Sequence, residues 1–348
     1  MAGDFDSEAL ARRLEDIEAC FERKNIEKGV ILLEETLGTL RPEDLSPDTE
    51  PVISRLFQHL LIGYNSLGMQ QLRAGATERA LQLLNSADAL TAPSNVFLAP
   101  VHRQILKCIT FNNLGCAYKS QGRTHTALQF LKEALRREAA LQTSGSLPPS
   151  QSASTHLNIC TVLSEMSRHH DAVHHAMRAV NLLQMAIKEG IDEFRESVSG
   201  AVPLNLPQGA IVSPSRRGSS GSSALPPPLL PVAYFNCAVQ YEHMQQFEQA
   251  IKYYEKALEL CRLEESASKG QQKEQSSSGG QQHPLVPTIR TSIAEVRRAM
   301  VVLEEKIRSR RSSGASQSDG FAHTGRERGA GVKTGTRAHR QMRAASAQ

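Results

Sequence analysis

One spacing pattern, repeated four times, governs what this chain of 348 residues can fold into. Its clearest copy begins at Thr110 and reads TFNNLGCAYKSQGRTHTALQFLKEAL. In it Phe111, Leu114, Gly115 and Tyr118 fall on one face of a first helix, and Gly122 marks a turn. Ala127, Leu131 and Ala134 then fall on one face of a second helix. Alignment on the first alanine of that second helix lays the same frame three more times. Ala80 brings Tyr64, Leu67, Gly68, Gly75, Leu84 and Ala87 into place. Ala172 brings Ile159, Cys160, Leu163, Ala176 and Ala179, with His156 at the bulky first position. Ala250 brings Tyr234, Cys237, Ala238, Tyr241, Tyr254 and Ala257. The aligned alanines stand 47, 45 and 78 residues apart, so the last interval contains an insertion.

Such a frame makes two helices approach closely. Small residues at Gly68, Gly115, Cys160 and Ala238 on the first helix face Ala80, Ala127, Ala172 and Ala250 on the second, and a larger side chain there would push the pair apart. One hairpin of this size cannot bury its apolar stripe, so neighbours must stack. The expected fold is all-α, a right-handed α-solenoid of helix-turn-helix repeats with a concave groove.

The frame resembles the tetratricopeptide repeat, in which a large residue, Leu-Gly, an aromatic, Gly, Ala, an aromatic or Leu, and Ala recur at fixed offsets over about 34 residues. TFNNLG is also similar to the asparagine-bearing, lengthened repeats of kinesin light chains. That resemblance covers the repeats alone, because no long N-terminal heptad region is present, and it implies a shared way of binding peptides.

Boundaries follow from composition. The repeats are expected at 53–92, 105–142, 153–190 and 232–264. A further helix pair is expected at 7–50, with stripes Leu10, Leu14, Ile17, Phe21 and Ile26, Val30, Leu33, Leu37, and with Gly29 in place of the repeat alanine. It reads as a degenerate capping repeat. A capping helix is expected at 286–308, carrying Ile293, Val296, Met300, Leu303 and Ile307 on one stripe. Ser144 to Ser154 reads as a Ser/Pro-rich turn, 197–231 as a disordered insertion and 309–348 as a disordered basic tail. Residues 1–50 hold 14 acidic against 6 basic side chains, whereas the stretch from Lys306 onward holds ten basic against two acidic. The start, MAGDFDSEAL, reads as neither a signal peptide nor a mitochondrial presequence, and no apolar run is long enough to span a bilayer. The chain is expected in the cytoplasm, with Cys160 and Cys237 as buried free thiols.

Catalytic motifs are missing from the sequence: no phosphate loop, no Gly-x-Ser-x-Gly, no His-Glu-x-x-His, so no catalytic residue and no cofactor is assigned. In the run RHHDAVHH, His170 and His174 stand one turn apart, but no third ligand is fixed, and no metal is expected. His169 and His170 read as turn residues. The informative positions are Asn113, Asn158 and Asn236, two residues after the bulky first position, where the repeat family faces its concave surface. An amide carries both a donor and an acceptor, so a row of them can pair with the main chain of an extended peptide. Asn112 and Tyr118 are the expected neighbours in that groove.

The expected function is therefore a non-catalytic adaptor that holds protein partners in the groove. Repeat proteins that clamp the carboxylate of heat-shock chaperone tails place Lys and Arg around such an asparagine. Here those positions are Asn65, Ser154 and Asn158, which argues against that clamp. A structural subunit of a cytoskeletal or ciliary assembly is one alternative. An RNA-associated protein acting through the basic tail is another, although Phe321 is the tail's only aromatic. RRGS ending at Ser219 and RRSS ending at Ser313 fit the preference of basophilic kinases. The PPPLLP run, Pro226 to Pro231, is expected to fold back across the groove and block it.

Overall fold

The computed structural model describes residues 7–41, 46–188, 229–271 and 283–314. Among them are eleven α-helices and no strand. In chain order they are α1 (Ser7–Glu22), α2 (Ile26–Thr39), α3 (Glu50–Arg73), α4 (Thr77–Leu90), α5 (Pro100–Ser120) and α6 (Thr124–Thr143). A short 3₁₀ turn, Pro149–Gln151, leads into α7 (Ser152–Glu165), followed by α8 (His169–Lys188), α9 (Leu229–His243), α10 (Phe247–Gln271) and α11 (Leu285–Gly314). Each helix packs on the next, and α3, α5, α7 and α9 also touch in sequence, which makes them the inner row of a right-handed α-solenoid.

The turns reveal how regular the frame is. Gly75 and Gly122 adopt φ of +82° and +76° between the helices of their hairpins. Lys24, Ser167 and Gln245 take the same left-handed conformation with φ near +60°. All five stand five residues before a small packing residue: Gly29, Ala80, Ala127, Ala172 and Ala250. The hydrogen bonds match as well, because the following N–H always reaches back five positions within a helix-ending turn: Asn25 to Cys20, Ala76 to Gln71, Arg123 to Tyr118, Arg168 to Leu163 and Gln246 to Tyr241. The pair α1–α2 is thus a fifth copy of the hairpin, although its sequence keeps little of the frame.

Close approach in the first three hairpins depends on glycine. A Cβ on Gly115 would lie 2.5 Å from Leu131 Cγ, one on Gly68 would lie 2.9 Å from Leu84, and one on Gly29 would lie 2.8 Å from the Phe21 ring. The later hairpins place Cys160 with Ala176 and Ala238 with Tyr254, all wholly buried. Ala80, Ala127, Ala172 and Ala250 are wholly buried too.

Several boundaries differ from the sequence reading. The irregular stretch at Ser144 to Ser154 is shorter, because Ser152 to Ser154 already form the first turn of α7. Leu229, Leu230 and Pro231 open α9 rather than ending a loop, and Leu230 sits in the core, so the end of the PPPLLP run is packed and does not cross a groove. Helix α11 continues to Gly314, beyond residue 308. Most of the 197–231 insertion, with Ser219, and all of the tail after Gly314 lie outside the described residues; Ser313 falls in the last turn of α11. His169 and His170 belong to the first turn of α8 rather than to the connection before it.

Candidate functional site

The inner row is joined by amides that repeat with a fixed stagger. Asn113 on α5 donates from Nδ2 to Asn65 Oδ1 on α3 at 2.8 Å, and Asn158 on α7 donates to Asn112 Oδ1 on α5 at 3.0 Å. In the repeat frame, each donor stands one position after the aligned acceptor of the preceding repeat. Asn65 further donates to Thr110 Oγ1 at 3.0 Å and to the carbonyl of Leu61 at 2.9 Å, and Thr110 donates to the carbonyl of Leu106. Thr161 donates to the carbonyl of Asn158 and receives the Lys119 ammonium at 3.3 Å.

The ladder has two rungs because its acceptor position runs out. The third donor, Asn236 on α9, would need an acceptor at Leu157, which is apolar. Asn236 is nonetheless buried, as are Asn65, Asn112, Asn113 and Asn158. Burial of an amide is tolerated only when its polar atoms find partners, and one acceptor, Asn113 Oδ1, has no hydrogen bond among the described residues. Of the expected groove residues, Asn112, Asn113 and Asn158 are therefore drawn into bonds between repeats rather than left as a free row of amides, and Asn236 joins no rung. Asn65 and Thr110 take part although sequence reasoning gave them no such role; the signal was an amide at the same frame position as Asn112.

Tyr118 points elsewhere. Its ring stacks on Phe130 at 5.2 Å, and the Arg123 guanidinium lies 4.8 Å from the ring centroid, so it serves the contact between α5 and α6.

The histidines are also redistributed. His170 and His174 stay exposed. His156 Nδ1 instead meets His175 Nδ1 at 2.9 Å, joining the two helices of the third repeat, and His169 Nδ1 donates to Gln240 Oε1 at 3.0 Å across the junction to the fourth. Burial, followed by the charges of His175, Arg178 and His174, pushes His156 down to about 4. Burial, with His174 and Lys132, lowers His175 as well. Both imidazoles are neutral at neutral pH, and one hydrogen bond between them needs one N–H and one bare nitrogen. Among the described residues no group of three or more His, Cys, Asp or Glu side chains is arranged to hold a metal.

At the junction of the second and third repeats, Thr155 donates to Glu138 Oε1 at 2.7 Å. Burial raises the Glu138 carboxyl above its ordinary range, and the Thr155 and Ser152 hydroxyls pull in the opposite direction. No helix among the described residues is long and apolar enough to cross a membrane.

Residues 109–143 and 231–262 each match a tetratricopeptide repeat model. No curated protein sequence matches the chain. Among solved structures, BtubC (BKLC) from P. vanneervenii is 14% identical, with 93% of this chain and 97% of that one covered and a TM-score of 0.44. The nearly identical TPR-like repeats of a Podosopora anserina kinesin light chain candidate are 15% identical over 78% of this chain and 100% of that one, with a TM-score of 0.38. Aspartyl phosphate phosphatase F from Bacillus subtilis is 12% identical over 90% of this chain and 77% of that one, with a TM-score of 0.40. The chain thus contains tetratricopeptide repeats at 109–143 and 231–262, and its three other hairpins share their turn geometry.

Proposed function

We propose that the chain is a non-catalytic adaptor that binds an extended segment of a protein partner along its inner helices. One observation carries this reading: the staggered amides of Asn65, Asn112, Asn113 and Asn158, with Asn113 Oδ1 left as an unused acceptor. An amide rung between two repeats and an amide bond to a peptide main chain are hydrogen bonds of the same kind. Exchange of one for the other therefore costs little, and a partner that parts adjacent repeats finds donors and acceptors already aligned. Lys119, held on Thr161 at the same face, supplies the one cation in this network and favours a segment with an acidic side chain near its centre.

The test is a crosslinking capture with the full chain, followed by titration of each captured segment as a synthetic peptide. Wild type is compared with Asn113→Ala, Asn158→Ala and Lys119→Glu, each checked for helicity by circular dichroism. The reading expects peptide affinity to fall for all three with helicity kept. Equal affinity in all three would place the partner on another face and overturn it.

A further inference from the structure

The two ends of the described solenoid differ in charge, and at one of them the last helix carries exposed apolar side chains. Helix α11 packs through Leu285, Val286, Ile289, Ile293 and Val296, all buried. From residue 301 to 309 every side chain is exposed, and Val301, Val302, Leu303 and Ile307 are between 39% and 54% exposed. A helical extension of this length has little stability alone, since helices in proteins are held mainly by packing of an apolar face. In a stacked array that face is where the next hairpin would sit.

Charge identifies what fits there. Within 285–314 seven basic side chains stand against three acidic ones; Arg290, Arg298, Lys306 and Arg308 are exposed without an ion pair among the described residues, as are Glu304 and Glu305. At the other end, residues 7–39 hold eight acidic side chains against five basic ones. There Glu15, Asp16, Glu22 and Glu27 are exposed without an ion pair among the described residues, as are Arg23, Lys24 and Lys28, and α2 adds Ile31 at 49% exposed. We infer that the α11 end receives the α1–α2 end of a second copy of this chain. The contact joins unlike surfaces, so it leaves both outer ends free and builds open head-to-tail chains rather than a closed dimer. It uses none of the inner-row amides and stands or falls apart from the peptide-binding reading.

Sedimentation velocity on the full chain over a range of concentrations tests it. Wild type is expected to grow beyond dimer at low salt and to dissociate as salt rises. Arg298→Glu with Lys306→Glu and Arg308→Glu, or Glu15→Lys with Asp16→Lys and Glu22→Lys, should each weaken association by roughly tenfold or more. Mixing the two reversed chains should restore growth, because each then offers the end the other lacks. All substituted residues are exposed, so circular dichroism should match wild type. A chain that stays monomeric at every concentration would overturn the proposal. So would a dimer that persists when the acidic end is reversed, which would mean that two α11 helices pair with each other.

Discussion

The second and third repeats follow one frame and fill it differently. The second places Phe111 at the bulky first position, Gly115 against Leu131 at the crossing, and Gly122 at the turn. The third places His156, Cys160 with Ala176, and Ser167 at the same four points. Where the second has its smallest residue facing a large one, the third has a medium residue facing a small one. Between these two repeats a smaller residue on one helix is thus offset by a larger one on the other, as expected of close-packed interiors.

The crossing is where this equivalence is most exposed to failure. Gly115→Ala adds a Cβ 2.5 Å from Leu131 Cγ, and overpacking should outweigh the gain in helix propensity, lowering stability by about 2–3 kcal/mol. Gly115→Cys combined with Leu131→Ala copies the third repeat into the second and should be far milder than the sum of its single changes. Denaturant unfolding in a double-mutant cycle measures the coupling; a coupling near zero would break the equivalence.

The rungs give the next largest effect. Asn113→Ala leaves Asn65 Oδ1 without its donor and should cost about 1–2 kcal/mol. Asn236→Ala, at the junction where the acceptor position holds Leu157, should cost clearly less. Equal losses would mean that the rungs do not hold the repeats together.

Acid should separate the two repeats. His156 is held at about 4 against an ordinary 6.5, so the unfolded chain binds a proton that the folded chain refuses between those values. Its contribution is intact above pH 6.5 and is lost as pH falls toward 4. His156→Phe, which copies Phe111, should remove about 1 kcal/mol of acid sensitivity, allowing for screening at a partly exposed site. Thermal melts at neutral and acid pH report the difference. The smallest expected effect is at the turn: Ser167→Gly relieves a left-handed φ of +58° and should stabilise by about 0.5 kcal/mol, whereas Gly122→Ala should destabilise.

Much of this was legible in the spacing of side chains. Apolar and small residues at fixed offsets identify the hairpins because helix periodicity and close packing leave little choice there. The fifth hairpin was only half legible: Gly29 kept its place, but Lys24 in a glycine-like conformation is a backbone fact that side-chain chemistry does not announce. The asparagines were visible, yet their use was not. Whether an amide faces open space or its neighbour depends on how tightly successive repeats wind, which is set by the sum of many contacts. The pairing of His156 with His175 was hidden for the same reason, since 19 residues separate them in the chain.

The thiols at the crossings carry a practical consequence. Cys160 and Cys237 are wholly buried, and burial raises both thiols, with Cys237 pushed up to about 12. A thiol reagent can reach them only when their hairpins part, so their labelling rate counts how often the third and fourth repeats breathe. The chain therefore carries built-in reporters of local opening, and a partner that tightens or loosens the winding would change their rate without touching either sulfur.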